Sequence, residues 1–301
     1  MDIDPETAAY YRQLPGDLGD RLRSVLEDTE DGTVMTIENG RCPMWRNDGL
    51  CRIHAELGHD ALCQTCRDFP RLRHDYGNFV ELGLELSCPE AARLILSCDS
   101  GLLAEAQPGG TEPDYEPEIM ECLRHSRTEI LCYLKTAESL PRAMAAMLLY
   151  AHSVQAQLDG DPSPVPTPEA CEAQLDSFRL EGDAALLPSF FLELEILTDR
   201  WKQRLSQPVQ TIIWSPELRR LACYFVERYW LQAISDYDLV CRAKLAVTGC
   251  LLVGLLGGNV IETAQLFSKE IENDPDNLEA VLDGAYTAHA LTDANLLGVL
   301  L

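Results

Sequence analysis

Five of the chain's twelve cysteines fall between Cys42 and Cys88, and this clustering constrains the fold more than any other feature of the 301 residues. Cys42, Cys51, Cys63, Cys66 and Cys88 are separated by short turn signals, and Cys63 and Cys66 form a Cys-x-x-Cys pair whose sulfurs can reach one metal centre together. Thiolates select zinc, copper(I) or iron–sulfur clusters over hard cations. Free cysteine also serves as a small buried apolar residue. That plainer role suits Cys122, Cys132, Cys171, Cys223, Cys241 and Cys250, which share no spacing. The first five are read as metal ligands.

Redox compartment matters to that reading. The opening Met1-Asp2-Ile3-Asp4-Pro5-Glu6 is acidic where an export leader is basic and then apolar. A cytoplasmic location is therefore expected, with reduced cysteines and metal binding in place of disulfides. The longest apolar run, Ala246 to Gly258, falls short of the roughly 20 residues that span a bilayer. It reads as a buried helix without membrane insertion. A formal charge of −25 would repel phosphates, so nucleic acid is not an expected partner.

Along the chain, Asp4 as cap and Pro5 as first residue predict a helix to Leu14, and a second follows Pro15-Gly16. Thr33 to Ile37 is β-branched enough for a short strand. Short helices are expected over Ile53 to Leu57 and Ala61 to Cys66. Gly77-Asn78 divides Leu72 to Tyr76 from Phe79 to Leu86 as a hairpin. Pro89 then opens a helix that places Cys88 at its N-terminus, where the helix dipole favours a thiolate. Arg67, Arg71, Arg73 and His74 form a basic island, either a solvated face or a partner for an anionic cluster or ligand carboxylate.

Residues 101–117 are rich in Gly, Pro and acidic residues and are expected to link a cysteine-rich lobe, 1–100, to a helical domain, 118–301. Helices are predicted there over Glu118 to Thr136, Pro141 to Leu158, Leu187 to Leu205, Pro216 to Ser235, Asp238 to Leu256 and Ile261 to Asn273. The expected fold is mainly α: a metal-binding N-terminal lobe with a short β-hairpin, followed by an all-helical C-terminal domain. The chain has neither a G-x-G-x-x-G fingerprint after a strand nor a Walker lysine, and it lacks the Cys-x3-Cys-x2-Cys triplet of radical enzymes.

The segment CPMWRNDGLCRIHAELGHDALCQTCRDFPR, followed by LSCPEAARLIL, resembles the cysteine-rich part of the flagellin lysine-N-methylase family, which is related to cysteine domains associated with zinc or iron chelation. Tyr224 to Trp230 resembles the family's aromatic-arginine helix. Phe267-Ser268-Lys269-Glu270-Ile271-Glu272 with Asn277-Leu278-Glu279 resembles its C-terminal signature. Members usually begin with a further segment holding a Cys-Cys pair before Gly-Trp. Here Ile3-Asp4, Thr7 and Tyr10 match only its end, so either those ligands lie upstream or this chain has lost them.

The resemblance implies methyl transfer from S-adenosylmethionine to lysine amines on flagellin by an iron–sulfur protein, with a 4Fe-4S cluster favoured over zinc on Cys42, Cys51, Cys63, Cys66 and Cys88. Such a displacement needs a neutral amine, although free lysine has a pKa of about 10.4, so a desolvated site or an acceptor must favour loss of the proton. Catalytic candidates are Glu270, Glu272 and Tyr224. Candidates to hold the cofactor are Arg67, Arg71, Arg228 and Asn277. Glu270 and Glu272 lie on different helix faces, so at most one is expected to line a site. The alternative reading is a non-enzymatic cluster or zinc protein that carries electrons or organises partners.

Overall fold

A computed structural model describes residues 1–38, 40–98, 104–106 and 112–301 of the chain. Two compact units result, Met1–Leu72 and Arg73–Leu301. The division comes ahead of the expected 101–117 linker, of which 101–103 and 107–111 lie outside the described residues. Helices dominate and strands are few and short, so the chain is mainly α as the periodicity predicts.

The first unit runs β1 (Asp2–Ile3), α1 (Pro5–Gln13), α2 (Gly16–Val25), β2 (Leu26–Thr29), β3 (Gly32–Met35), α3 (Arg52–Leu57) and α4 (Gln64–Asp68). Its strands pair antiparallel in the order β1-β3-β2. Asp4 starts two helices at once. One carboxylate oxygen accepts the Thr7 N–H of α1 and the other the Gln64 N–H of α4, each at 2.9 Å. Ile3, Tyr11, Leu22, Val25, Met35, Met44 and Ile53 form the core, each apolar side chain contributing about 1.5–3 kcal/mol on full burial. Tyr11 stays satisfied there by donating its hydroxyl to the Ala61 carbonyl at 2.7 Å.

β4 (Arg71–Asp75) crosses into the second unit and forms a hairpin with β5 (Val80–Leu84), closed by the Tyr76 N–H on the Phe79 carbonyl. Gly77 turns it at a φ of 82°, a left-handed conformation that suits glycine. Then come α5 (Pro89–Ser97), β6 (Ala104–Ala106) paired to β5, α6 (Pro117–Thr136), α7 (Leu140–Leu158), α8 (Pro168–Gln174), α9 (Leu186–Leu192), α10 (Asp199–Leu205), α11 (Pro216–Tyr229), α12 (Val240–Leu256), α13 (Val260–Phe267), α14 (Pro275–Thr287) and α15 (Asp293–Leu300).

The apolar run ending at Gly258 forms α12, which is buried on nearly every face and packs against α7, α11, α13 and α14. A Cβ at Gly249 would stand 2.7 Å from the Phe225 ring, so glycine is what lets α11 approach this closely. No described helix is long and apolar enough to cross a membrane.

Local structure departs from the expected helices in several segments. Two helices, α9 and α10, replace the single one expected over Leu187 to Leu205, because Thr198 caps a new start by accepting the Trp201 N–H. The segment after Phe267 winds as a π-helix over Ser268–Glu272. α8, α14 and α15 form where no helix was expected, each opened by a capping side chain, Thr167, Asp274 or Thr292.

Candidate functional site

Cys42, Cys51, Cys63 and Cys66 belong to the first unit, around its core. Cys51 and Cys63 occupy the N-cap positions of α3 and α4, so helix starts place their sulfurs, and Asp4 fixes the second start from outside. A hydrogen bond from Cys66 holds the Cys63 thiol down at about 6, and the same bond, with burial, pushes Cys66 well up. Burial raises Cys42, with the neighbouring Cys51 and Cys63 adding to the effect. Two thioethers complete a sulfur-rich patch: Met35 Sδ lies 4.0 Å from Cys42 Sγ and Met1 Sδ 3.8 Å from Cys66 Sγ. Among the described residues, no three His, Cys, Asp or Glu side chains stand in an arrangement that could hold a metal ion. Thiolates are nonetheless the donor type that zinc and iron–sulfur centres use.

Cys88 lies in the second unit, half-buried at the N-cap of α5. Cys171, Cys223, Cys241 and Cys250 are buried in that unit, and burial pushes their thiols up, those of Cys171 and Cys223 to about 11, which makes them unreactive packing groups. In the basic island, Arg71 turns back to donate to the Arg67 carbonyl at 3.1 Å, and Arg73 pairs with Asp75 at 2.9 Å.

The second unit gathers Tyr224, Arg228, Tyr229 and Glu272 into one buried cluster. Tyr224 and Arg228 sit four apart on α11, hence on one face, and the π-helix swings Glu272 against them. Arg228 Nη1 meets Glu272 Oε1 at 3.0 Å, with the two side chains only 10% and 0% exposed. The Tyr229 hydroxyl donates to Glu272 at 2.8 Å and that of Tyr224 at 3.2 Å, while Arg228 donates to the Tyr224 oxygen. Burial opposes the Arg228 charge, but Glu272 and the tyrosine oxygens outweigh it and hold its pKa well above the ordinary value. Burial raises both tyrosines, so they remain protonated donors.

Glu270 and Glu272 point apart. Glu270 turns to the α9–α10 link, accepting the Leu197 N–H at 2.9 Å and the Thr198 hydroxyl. Asn277 holds the same link: its oxygen accepts the Glu195 N–H at 3.0 Å, and its amide nitrogen donates to the carbonyls of Glu195 and Glu270, each at 2.9 Å. These two side chains are thus engaged in a clamp on the α9–α10 link.

The charge of Arg228 acts on two further groups. His74 on β4 has its Nε2 buried with no hydrogen-bond partner, and burial, helped by Arg228, holds its pKa below the usual 6.5. Glu85, one residue past β5, is half-buried; burial raises its carboxyl, with the Arg228 charge opposing. The sequence places His74 in the basic island, and Glu85 carries no signal there, since a lone acid in a hairpin has no spacing to mark it. Cavities of about 360, 330 and 450 Å³ lie elsewhere in this unit, beside Arg124, beside His152 and Asp293, and beside Gln210 and Trp214.

Among known proteins, the flagellar biosynthetic protein FliU of Salmonella muenchen is 47% identical to this chain over 58 residues, 19% of the chain and 34% of FliU. Lysine-N-methylases of Salmonella typhimurium and Salmonella choleraesuis match at the same identity over 58 residues, which is 14% of each. The chain therefore matches these relatives over only a minor part of their length. No family model matches the chain, and no solved structure matches it. Over a limited stretch, the chain is similar to lysine-N-methylases and to a flagellar biosynthesis protein.

Proposed function

We propose that this protein transfers methyl groups from S-adenosylmethionine to lysine side chains of a flagellar protein, flagellin itself, in the cytoplasm. The observation that carries the reading is the 47% identity with proteins named lysine-N-methylase, and the flagellar name of the third relative supports the substrate class. S-adenosylmethionine supplies an electrophilic methyl on a sulfonium. The protein's part is to present a neutral amine to it in line. The Arg228–Glu272–Tyr224 cluster is the proposed centre, because it is a desolvated, hydrogen-bonded polar group. Desolvation favours the uncharged amine that the displacement requires. Calorimetry on intact, metal-loaded protein tests this reading: S-adenosylmethionine binds with measurable heat, and absence of binding removes it.

The sulfur group of the first unit supports a second reading, a cluster or zinc protein without enzymatic activity. Cys42, Cys51, Cys63 and Cys66 are the residues that would hold the centre, with a 4Fe-4S cluster favoured over zinc. Anaerobic purification with metal and sulfide analysis decides the centre: stoichiometric iron and sulfide support the cluster, and a colourless protein with one zinc excludes it. Cys66→Ala loses metal and first-unit stability together, since metal binding energy is also folding energy. Retention of both would make Cys66 an ordinary packed residue.

A further inference from the structure

One cavity of the second unit combines an apolar wall with charged groups. It encloses about 330 Å³ between α7, α15 and the segment after α8, lined by Leu149, Phe178, Leu180 and Leu297. His152 and Asp293 supply its polar groups. Lys244 of α12 stays outside the lining, almost fully buried, and donates its ammonium to the Ala285 carbonyl at 2.7 Å. Asp293 Oδ1 lies 3.2 Å from His152 Nε2 and 3.4 Å from Lys244 Nζ, close enough to pair by charge. That oxygen is buried and takes no aligned hydrogen bond from either. The Asp293 side chain as a whole is 41% exposed, so its other oxygen faces outward, and among the described residues it accepts no hydrogen bond.

These positions restrict what can bind. An anion is repelled by Asp293, and the Lys244 head that would attract it is buried and engaged with Asp293 and Ala285. A cation is opposed by the Lys244 charge already set against the same carboxylate. A neutral molecule meets neither repulsion, and one with an O–H or N–H gives the outward oxygen the donor it lacks. The apolar wall favours a hydrocarbon body for the remainder. An apolar cavity of about 150 Å³ accommodates benzene, so roughly twice that volume suits one or two fused rings. We propose that this cavity binds a neutral apolar molecule of one or two rings whose single hydroxyl or ring N–H is donated to Asp293. The inference is independent of the lysine-methylation reading and uses none of the residues placed in that centre.

The test uses the full chain, with indole as probe and 1-methylindole as its counterpart without a donor, each titrated while the methyl signals of labelled leucines are followed by NMR. Indole moves the Leu149 and Leu297 methyls saturably through its ring current and raises the thermal midpoint of the second unit. 1-Methylindole binds about tenfold or more weakly, because it cannot make the hydrogen bond to a charged acceptor. Leu149→Trp fills the cavity from a half-buried position and abolishes the saturable shift at Leu297. Lys244→Met with Asp293→Ala removes both charges together, so that neither is orphaned, and this variant binds the two probes equally. No saturable shift in the wild type, 1-methylindole binding as tightly as indole, or unaltered indole binding by Leu149→Trp overturns the proposal. The comparison of the two probes is made on the wild-type chain, so it decides the matter even where a variant fails to fold.

Discussion

Glu272→Ala is the most informative substitution in the second unit. It removes the carboxylate that pairs with Arg228 at 3.0 Å and accepts the hydroxyls of Tyr229 at 2.8 Å and Tyr224 at 3.2 Å. The loss leaves a guanidinium with 10% side-chain exposure and no paired carboxylate. Breaking a buried pair from one side costs about 3–5 kcal/mol, whereas an exposed pair such as Arg93–Glu90 is worth about 0–1 kcal/mol. At about 2.1 cal/mol/K of unfolding entropy per residue over Arg73–Leu301, a loss near 4 kcal/mol lowers the thermal midpoint by about 8 °C.

The assay is urea unfolding followed by tryptophan fluorescence, with calorimetry for the midpoint. All four tryptophans except Trp45 lie in the second unit, and Trp230 is buried there beside the cluster's Tyr229. The double variant Arg228→Met with Glu272→Met recovers at least half of the loss, because replacing both charges by apolar groups is far cheaper than orphaning one. A loss below about 1 kcal/mol for Glu272→Ala, or a double variant no better than the single, would refute a desolvated ion pair at this position.

Other outcomes follow from the same reasoning. Asp4→Ala removes the cap of α1 and the anchor of α4 and costs the first unit about 1 kcal/mol or more in chemical unfolding. Backbone hydrogen bonds from Gln64 and Thr7 hold the Asp4 carboxyl at about 2 in the folded chain, against 3.8 ordinarily, so its contribution is present above pH 3.8 and is lost as pH falls toward 2. Asp4→Asn flattens that acid limb of the stability curve, and an unchanged limb contradicts the assignment. Gly182→Ala drives a Cβ to 2.3 Å from the Val299 backbone nitrogen, so it costs about 1–3 kcal/mol in thermal unfolding; a neutral result would show that the two segments separate easily.

Much of the fold is legible residue by residue. Asp4-Pro5 announces α1, Gly77-Asn78 the hairpin and Pro89 the start of α5, because each carries local chemistry that acts within one turn of the chain. Even the helices that apolar spacing passed over carry such signals: Thr167-Pro168, Asp274-Pro275 and Thr292-Asp293 are cap and first-turn pairs. The break between α9 and α10 is of another kind. Apolar spacing runs through it, and the link is held by Glu270 and Asn277 from far along the chain.

The site was legible in part for the same reason. Tyr224 and Arg228 share a helix face by simple periodicity, but nothing in Ser-Lys-Glu-Ile-Glu marks a π-helix, so the distinct burial of Glu270 and Glu272 follows only from packing. Glu85 depends on where the hairpin delivers it, which no local spacing encodes. The cysteines show the converse. Their clustering in sequence is plain, and four of them share the first unit while Cys88 belongs to the second.

The central claim, lysine methylation of a flagellar protein, is tested most directly by incubating the intact, metal-loaded protein with flagellin and isotope-labelled S-adenosylmethionine, then mapping label by peptide mass spectrometry. The account predicts label on lysine side chains of flagellin, dependent on both protein and methyl donor. Flagellin that stays unlabelled with protein shown to be folded and metal-loaded would contradict it.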